Sequence, residues 1–177
     1  MHNDIKKISL NEEQIAEIVS RLGKEISNDY NGKEPLFIGI LKGCIPFMPD
    51  LLKNVSINCT LDYLRVSSYE GTKSSGKIKI KGDIPSVKDK DVIIVEDILD
   101  TGRTLMNVRN LLLEEGAKSV NICVLLDKPE GRIVDIKADY VGGHVPNEFV
   151  VGYGLDYNEK YRNLPYIGVL KEEIYTH

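Results

Sequence analysis

The sequence predicts an α/β fold with a largely parallel sheet flanked by helices, and three observations carry that reading. Short apolar runs such as PLFIGIL (35–41), VIIV (92–95) and Val120 to Leu126 have the length of strands and too little polarity to face water. Stretches with helical spacing alternate with them, as in Leu105, Val108, Leu111 and Leu112. Glycines such as Gly43 and Gly116 punctuate the boundaries.

Taken in order, Ile15, Ile18, Val19, Leu22 and Ile26 recur at helical spacing after Asn11. Asn11 and Gln14 can cap each other reciprocally, with Ser9 and Glu12 as a competing start. PLFIGIL reads as a buried strand stopping at Lys42-Gly43, IPFMPDLLKNV as the site of a short helix, and LDYLRVSSY (61–69) as another strand. EGTKSSGK (70–77) is polar and has the composition of a mobile loop, whereas KIKIK (77–81) alternates like a strand with one solvated face. The helix from Leu105 is expected to end near Gly116, and two further short strands are expected in ADYVG and EFVVGY. The chain is read as a single domain over residues 1–177, with the N-terminal helix and the C-terminal stretch forming an added lobe.

A length of 177 residues suffices for one sizeable core. The net charge of −4 and pI near 5.5 provide no basic stripe, so nucleic acid is not an expected partner. No apolar run reaches the roughly 20 residues of a membrane span, and MHNDIKKISLNEE lacks the apolar core of a signal peptide, so a cytoplasmic location away from membranes is expected. Cys44, Cys59 and Cys123 are widely spaced and read as free thiols, and His2, His144 and His177 are too scattered to suggest a metal cluster. GTKSSGK (71–77) imitates a nucleotide-binding P-loop, but Ile78 replaces the metal-binding hydroxyl and a strand pattern follows.

The stretch VIIVEDILDTGRT (92–104) is the most informative. A buried central strand runs into Glu96, Asp97 and Asp100, and then into Thr101, Gly102, Arg103 and Thr104 at the start of a helix. Glycine and a helix N-terminus suit a phosphate, whereas the carboxylates suit hydroxyls or a magnesium ion. A sugar phosphate satisfies both requirements, with ribose hydroxyls at Glu96 and Asp97 and its 5′-phosphate in the threonine loop.

VIIVEDILDTGRTL resembles the signature of the phosphoribosyltransferases, which bind 5-phosphoribosyl 1-pyrophosphate through such a strand and loop. GILKGCIPF, RVSSYEGT, LLDKP and FVVGYGLDYNEKYRNLPYIGVL are similar, in order and spacing, to segments of the hypoxanthine-guanine phosphoribosyltransferases. The resemblance implies the type I phosphoribosyltransferase fold with a small hood from terminal segments. It also implies transfer of phosphoribosyl from the sugar pyrophosphate to a 6-oxopurine, with Mg2+ as cofactor and a homodimer or homotetramer as the assembly.

Roles carry over residue by residue. Asp100 would be the general acid/base at purine N7. Glu96 and Asp97 would hold the ribose hydroxyls, directly or through magnesium, and Thr101, Gly102, Arg103 and Thr104 the 5′-phosphate. Leu41, Lys42, Gly43 and Arg162 would bind pyrophosphate, with a cis peptide expected between Leu41 and Lys42. Lys128 would read the purine 6-oxo group, Phe149 stack on the base and Val150 meet its edge. Asp156 would contact metal beside the base pocket, and Ser68 and Tyr69 would head a lid. The competing readings are a regulator of this fold that senses the sugar pyrophosphate and binds nucleic acid, and an enzyme preferring xanthine.

Overall fold

The protein is described by a computed structural model covering residues 1–68 and 78–176. Its elements are β1 (Ile5–Leu10), α1 (Glu12–Asp29), β2 (Leu36–Leu41), α2 (Phe47–Lys53), β3 (Thr60–Ser68), β4 (Ile78–Lys81), β5 (Asp91–Leu99), α3 (Arg103–Glu114), β6 (Ser119–Asp127), β7 (Tyr140–His144), β8 (Val150–Val151), β9 (Ile167–Leu170) and α4 (Glu172–Tyr175). Tyr69 and the 70–77 stretch of the expected lid lie outside the described residues, and Ser68 ends β3.

The main sheet has the order β4-β3-β2-β5-β6-β7. Its pairs are parallel apart from β3 with β4, where the alternating IKIK strand forms an edge. Side chains alternate across each strand, so one face of the sheet carries Phe37, Ile93, Val95, Cys123 and Leu125 against Ile15, Val19, Leu22 and Ile26 of α1 and Phe47, Met48 and Leu51 of α2. The other face carries Ile38, Ile94, Ile122 and Val124 against Leu105, Val108 and Leu112 of α3. This two-sided burial explains why β2, β5 and β6 read as continuous apolar runs.

Helix α1 starts as expected. Asn11 Oδ1 accepts from the Gln14 amide and Gln14 Oε1 from the Asn11 amide, each at 2.9 Å. Its place differs from the expectation, however. The apolar stripe of α1 packs on the main sheet, so the helix is a layer of the core and no part of a lobe. The terminal lobe is instead a three-stranded antiparallel sheet, β1-β9-β8. The sequence analysis did not identify β1, because IKKISL buries only Ile5 deeply and presents two lysines. The strand expected over EFVVGY shrinks to Val150–Val151. Gly152 then turns with φ +101°, and a Cβ there would lie 2.0 Å from the Tyr166 carbonyl oxygen.

Candidate active site

Parallel pairing of β2, β5 and β6 brings their C-terminal ends to one edge of the sheet, where ligands of such sheets bind. Strand β5 delivers Glu96 and Asp97 to that edge and ends at Leu99. The chain then passes Asp100 and Thr101 to Gly102, whose φ of +85° opens α3. Helix α3 therefore begins at a residue with no side chain to cap it, and its first N–H groups lie outside the helical ladder. A cavity of about 190 Å³ lies over this turn, lined by Glu96, Asp97, Asp100, Thr101, Gly102 and Thr104. Arg103 is exposed.

A second cavity, of about 250 Å³, shares Asp97, Ile98 and Asp100 with the first and continues to Lys128, Phe149 and Asp156. Lys128 follows directly on β6, is half-buried and forms no ion pair with the described residues. Phe149 sits on the rim with 36% of its surface accessible, so it is not a core residue of the FVV run. Val150 is buried beside it.

The loop after β2 closes a third side. The Leu41–Lys42 peptide is cis, as the sequence resemblance implied. Gly43 is in close contact with the acidic pair, since a Cβ on it would lie 2.0 Å from Asp97 Oδ2. Gly154, with φ +100°, packs equally tightly on the Gly43 carbonyl. Arg162 donates to the Gly154 carbonyl at 2.7 Å and pairs with Asp156 at 3.2 Å. Lys42, Gly43, Arg162 and Asp156 thus converge from two separate segments. Ser68 lies at the end of β3, and Tyr69 is not described.

Electrostatically the centre is an uncompensated acid pair. Burial pushes the Glu96 carboxyl well above the ordinary carboxylate range, and the neighbouring Asp97 charge adds to this. Asp97 is also raised by burial, although its contact with Glu96, the Ile98 amide at 2.7 Å and the Arg162 charge oppose the shift. Asp97, buried, and Glu96, half-buried beside it, with the Arg162 charge opposing both shifts, favour a positive ligand or hydroxyl donors. Among the described residues, no three acidic, cysteine or histidine side chains gather as a metal cluster, so Glu96, Asp97 and Asp156 do not form a single ligand set. A pair of carboxylates is what magnesium ordinarily takes from protein, with substrate oxygens and water completing its shell.

The sequence analysis missed several residues around this edge. Arg132 donates through Nε to the Asp100 carbonyl at 3.0 Å and through Nη1 to the Ile136 carbonyl at 2.6 Å, and it pairs with Asp127 at the end of β6. Ile133 donates to the Thr101 carbonyl at 3.1 Å, and Lys128 to that of Leu99 at 2.9 Å. These bonds tie the turn after β5 to the loop after β6. The signal was present as opposite charges in DKPEGR, but only the folded loop shows that they meet.

The phosphoribosyl transferase domain family matches residues 9–158, most of the chain. The chain belongs to the phosphoribosyltransferases. It is 54% identical to the hypoxanthine-guanine phosphoribosyltransferase of Streptococcus pneumoniae, over 99% of each chain. The crystal structure of a hypoxanthine phosphoribosyltransferase from Staphylococcus aureus superposes with a TM-score of 0.95 at 50% identity, covering 100% of this chain and 97% of that one. The Trypanosoma cruzi hypoxanthine phosphoribosyltransferase gives 0.94 at 37% identity, covering 99% and 96%. The matched residues 9–158 include all those that line the two cavities.

Proposed function

We propose that this phosphoribosyltransferase transfers the 5-phosphoribosyl group from phosphoribosyl pyrophosphate to hypoxanthine or guanine, giving IMP or GMP and pyrophosphate. The observation that carries the reading is the pair of adjoining cavities with Asp97, Ile98 and Asp100 as their common wall. One has the chemistry of a ribose phosphate site and the other that of a purine site. A bond formed between ribose C1′ and a purine nitrogen would lie where they meet.

In this reading the open N-terminus of α3, with Thr101, Gly102, Arg103 and Thr104, cradles the 5′-phosphate. Glu96 and Asp97 hold the ribose hydroxyls. Phe149 stacks on the base, the Val150 backbone meets its edge, and the Lys128 ammonium donates to the 6-oxo oxygen. Adenine presents a donor at that position and is disfavoured. Asp100 takes the proton from N7 as C1′ is attacked, which makes the base the better nucleophile. The loop of Leu41, Lys42 and Gly43, together with Arg162, receives the departing pyrophosphate. Magnesium is the proposed cofactor: the Glu96–Asp97 pair would hold it on the ribose side, and Asp156 would separately contact metal on the pyrophosphate side, where the ion would neutralise phosphate charge.

Steady-state assays with magnesium and phosphoribosyl pyrophosphate, offering hypoxanthine, guanine, xanthine and adenine separately, test the reading. Turnover of the first two with adenine inert is the expected result. Tight binding of the sugar pyrophosphate without turnover of any base would instead favour a regulator. The chain is further proposed to act as a single domain in the cytoplasm and to assemble as a homodimer or homotetramer. Light scattering tests the assembly.

A further inference from the structure

Glu159 is absent from the roles above, yet it joins two of them. Its Oε2 pairs with the Lys42 ammonium, and its Oε1 lies 3.3 Å from Arg162 Nη2. Lys42 and Glu159 are 117 positions apart in sequence, so the contact links the loop after β2 to the turn beyond β8. The backbone N–H of Glu159 donates to Asp156 Oδ2 at 2.9 Å, which fixes the turn against the acid that also pairs with Arg162.

The local backbone makes this residue a costly choice. Tyr157 and Lys160 exchange hydrogen bonds of 3.2 and 3.0 Å across a two-residue hairpin turn whose central residues, Asn158 and Glu159, have φ of +49° and +64°. Such a turn favours Asn followed by Gly, since only glycine takes the second position without strain. Glutamate stands there instead, with its carboxylate carried to two cations. Strain retained at a site edge calls for a functional account, and the ion pairs supply one.

We infer that Glu159 is a displaceable counter-ion for the pyrophosphate subsite: it neutralises Lys42 and Arg162 while the subsite is empty and competes with pyrophosphate for them. This rests on the reading of Lys42 and Arg162 as pyrophosphate ligands. Lys42 and Arg162 repel each other across the subsite; Asp156 already pairs with Arg162 at 3.2 Å, and the Glu159 charge supplies the second anion, balancing Lys42. The carboxylate is exposed, with 62% of its side chain accessible, so the ion pairs are screened and cheap to exchange. A multiply charged pyrophosphate displaces it on binding, and its return assists release of the product.

Isothermal titration with inorganic pyrophosphate and magnesium tests the inference on the full chain. Glu159→Gln keeps the size and hydrogen-bonding oxygen and removes the charge. Glu159→Gly removes the side chain and relieves the turn. Both are expected to bind pyrophosphate roughly 2- to 10-fold more tightly than the parent, with Glu159→Gly also melting at a higher temperature. In a Lys42→Met background the gain from Glu159→Gln is expected to shrink. If Lys42→Met alone leaves pyrophosphate affinity unchanged, the pyrophosphate reading of Lys42 fails and the counter-ion role with it. If Lys42→Met weakens binding but neither Glu159 variant tightens it, the subsite stands and the counter-ion role is overturned. Weaker binding in both Glu159 variants would likewise overturn it, making Glu159 an organiser of the subsite.

Discussion

Arg132 holds Asp127 in an ion pair and, with the same guanidinium, donates to the main-chain oxygen of Asp100 at 3.0 Å. The side chains of the pair are 16% and 15% accessible. A single residue therefore couples the end of β6 to the carbonyl of the residue assigned to proton transfer. Arg132→Ala would take the guanidinium away from Asp127 and from the three part-buried carbonyls of Leu99, Asp100 and Ile136, a loss of about 3 kcal/mol. The expected outcome is a lower melting temperature and a fall in kcat that exceeds any change in KM for the base. Arg132→Lys restores charge without the planar fork. It is expected to recover more stability than turnover, whereas equal recovery of both would reduce Arg132 to a purely structural role.

Asp100 itself is tested in two ways. Asp100→Asn preserves the shape and removes the base, so turnover should fall greatly while phosphoribosyl pyrophosphate binding, measured by titration, is largely retained. Gly131→Ala leaves the carboxylate in the sequence and displaces it in space, because the added Cβ would lie 1.8 Å from Asp100 Oδ1. Its kcat is expected to approach that of Asp100→Asn. Undiminished turnover in Asp100→Asn would remove the general-base assignment.

The acid pair makes stability depend on pH. A carboxyl whose folded-state pKa is raised costs stability as pH climbs above its unfolded value, and the full cost is reached above the folded value. Glu96 and Asp97 are both raised, chiefly by burial. Glu96→Gln is therefore expected to melt above the parent at neutral pH without ligands. The gap should narrow as pH falls below the raised folded-state value and vanish once pH drops through the ordinary carboxylate range. Thermal melts of both proteins across pH check this, and a gap independent of pH would show that the Glu96 charge is not the destabilising element. The same variant should lose the magnesium dependence of phosphoribosyl pyrophosphate binding.

Local chemistry was legible in the sequence, and long-range partnership was not. Burial on both faces makes β2 and the VIIV run (92–95) of β5 apolar, so VIIVEDILDTGRT revealed both the strand and the acid-to-glycine turn. Asn11 and Gln14 lie within one helical turn, and their reciprocal cap could be read directly. By contrast, β1 exists because β9 pairs with it across the whole chain, with Ile5 opposite Leu170. IKKISL alone shows little burial pattern. Glu159 received no role from the sequence, because its partner Lys42 lies in the other half of the chain.

Phe149 provides a last test at the base cavity. One face of its ring stacks on Tyr175 of α4, with centroids 4.9 Å apart and planes at 24°, and Tyr157 meets it edge-on at 5.5 Å. Phe149 lines the cavity with its remaining surface, and Tyr175 does not line it. Tyr175 thus supports the ring from behind, and such an aromatic pair contributes about 1 kcal/mol. Tyr175→Ala frees the ring to rotate, and KM for hypoxanthine should rise roughly fivefold, with KM for phosphoribosyl pyrophosphate little changed. Tyr175→Phe keeps the stack and is expected to be silent. Equal rises in both KM values for Tyr175→Ala would point to a general loosening of the terminal lobe. No change in either would mean that Tyr157 alone fixes the Phe149 ring.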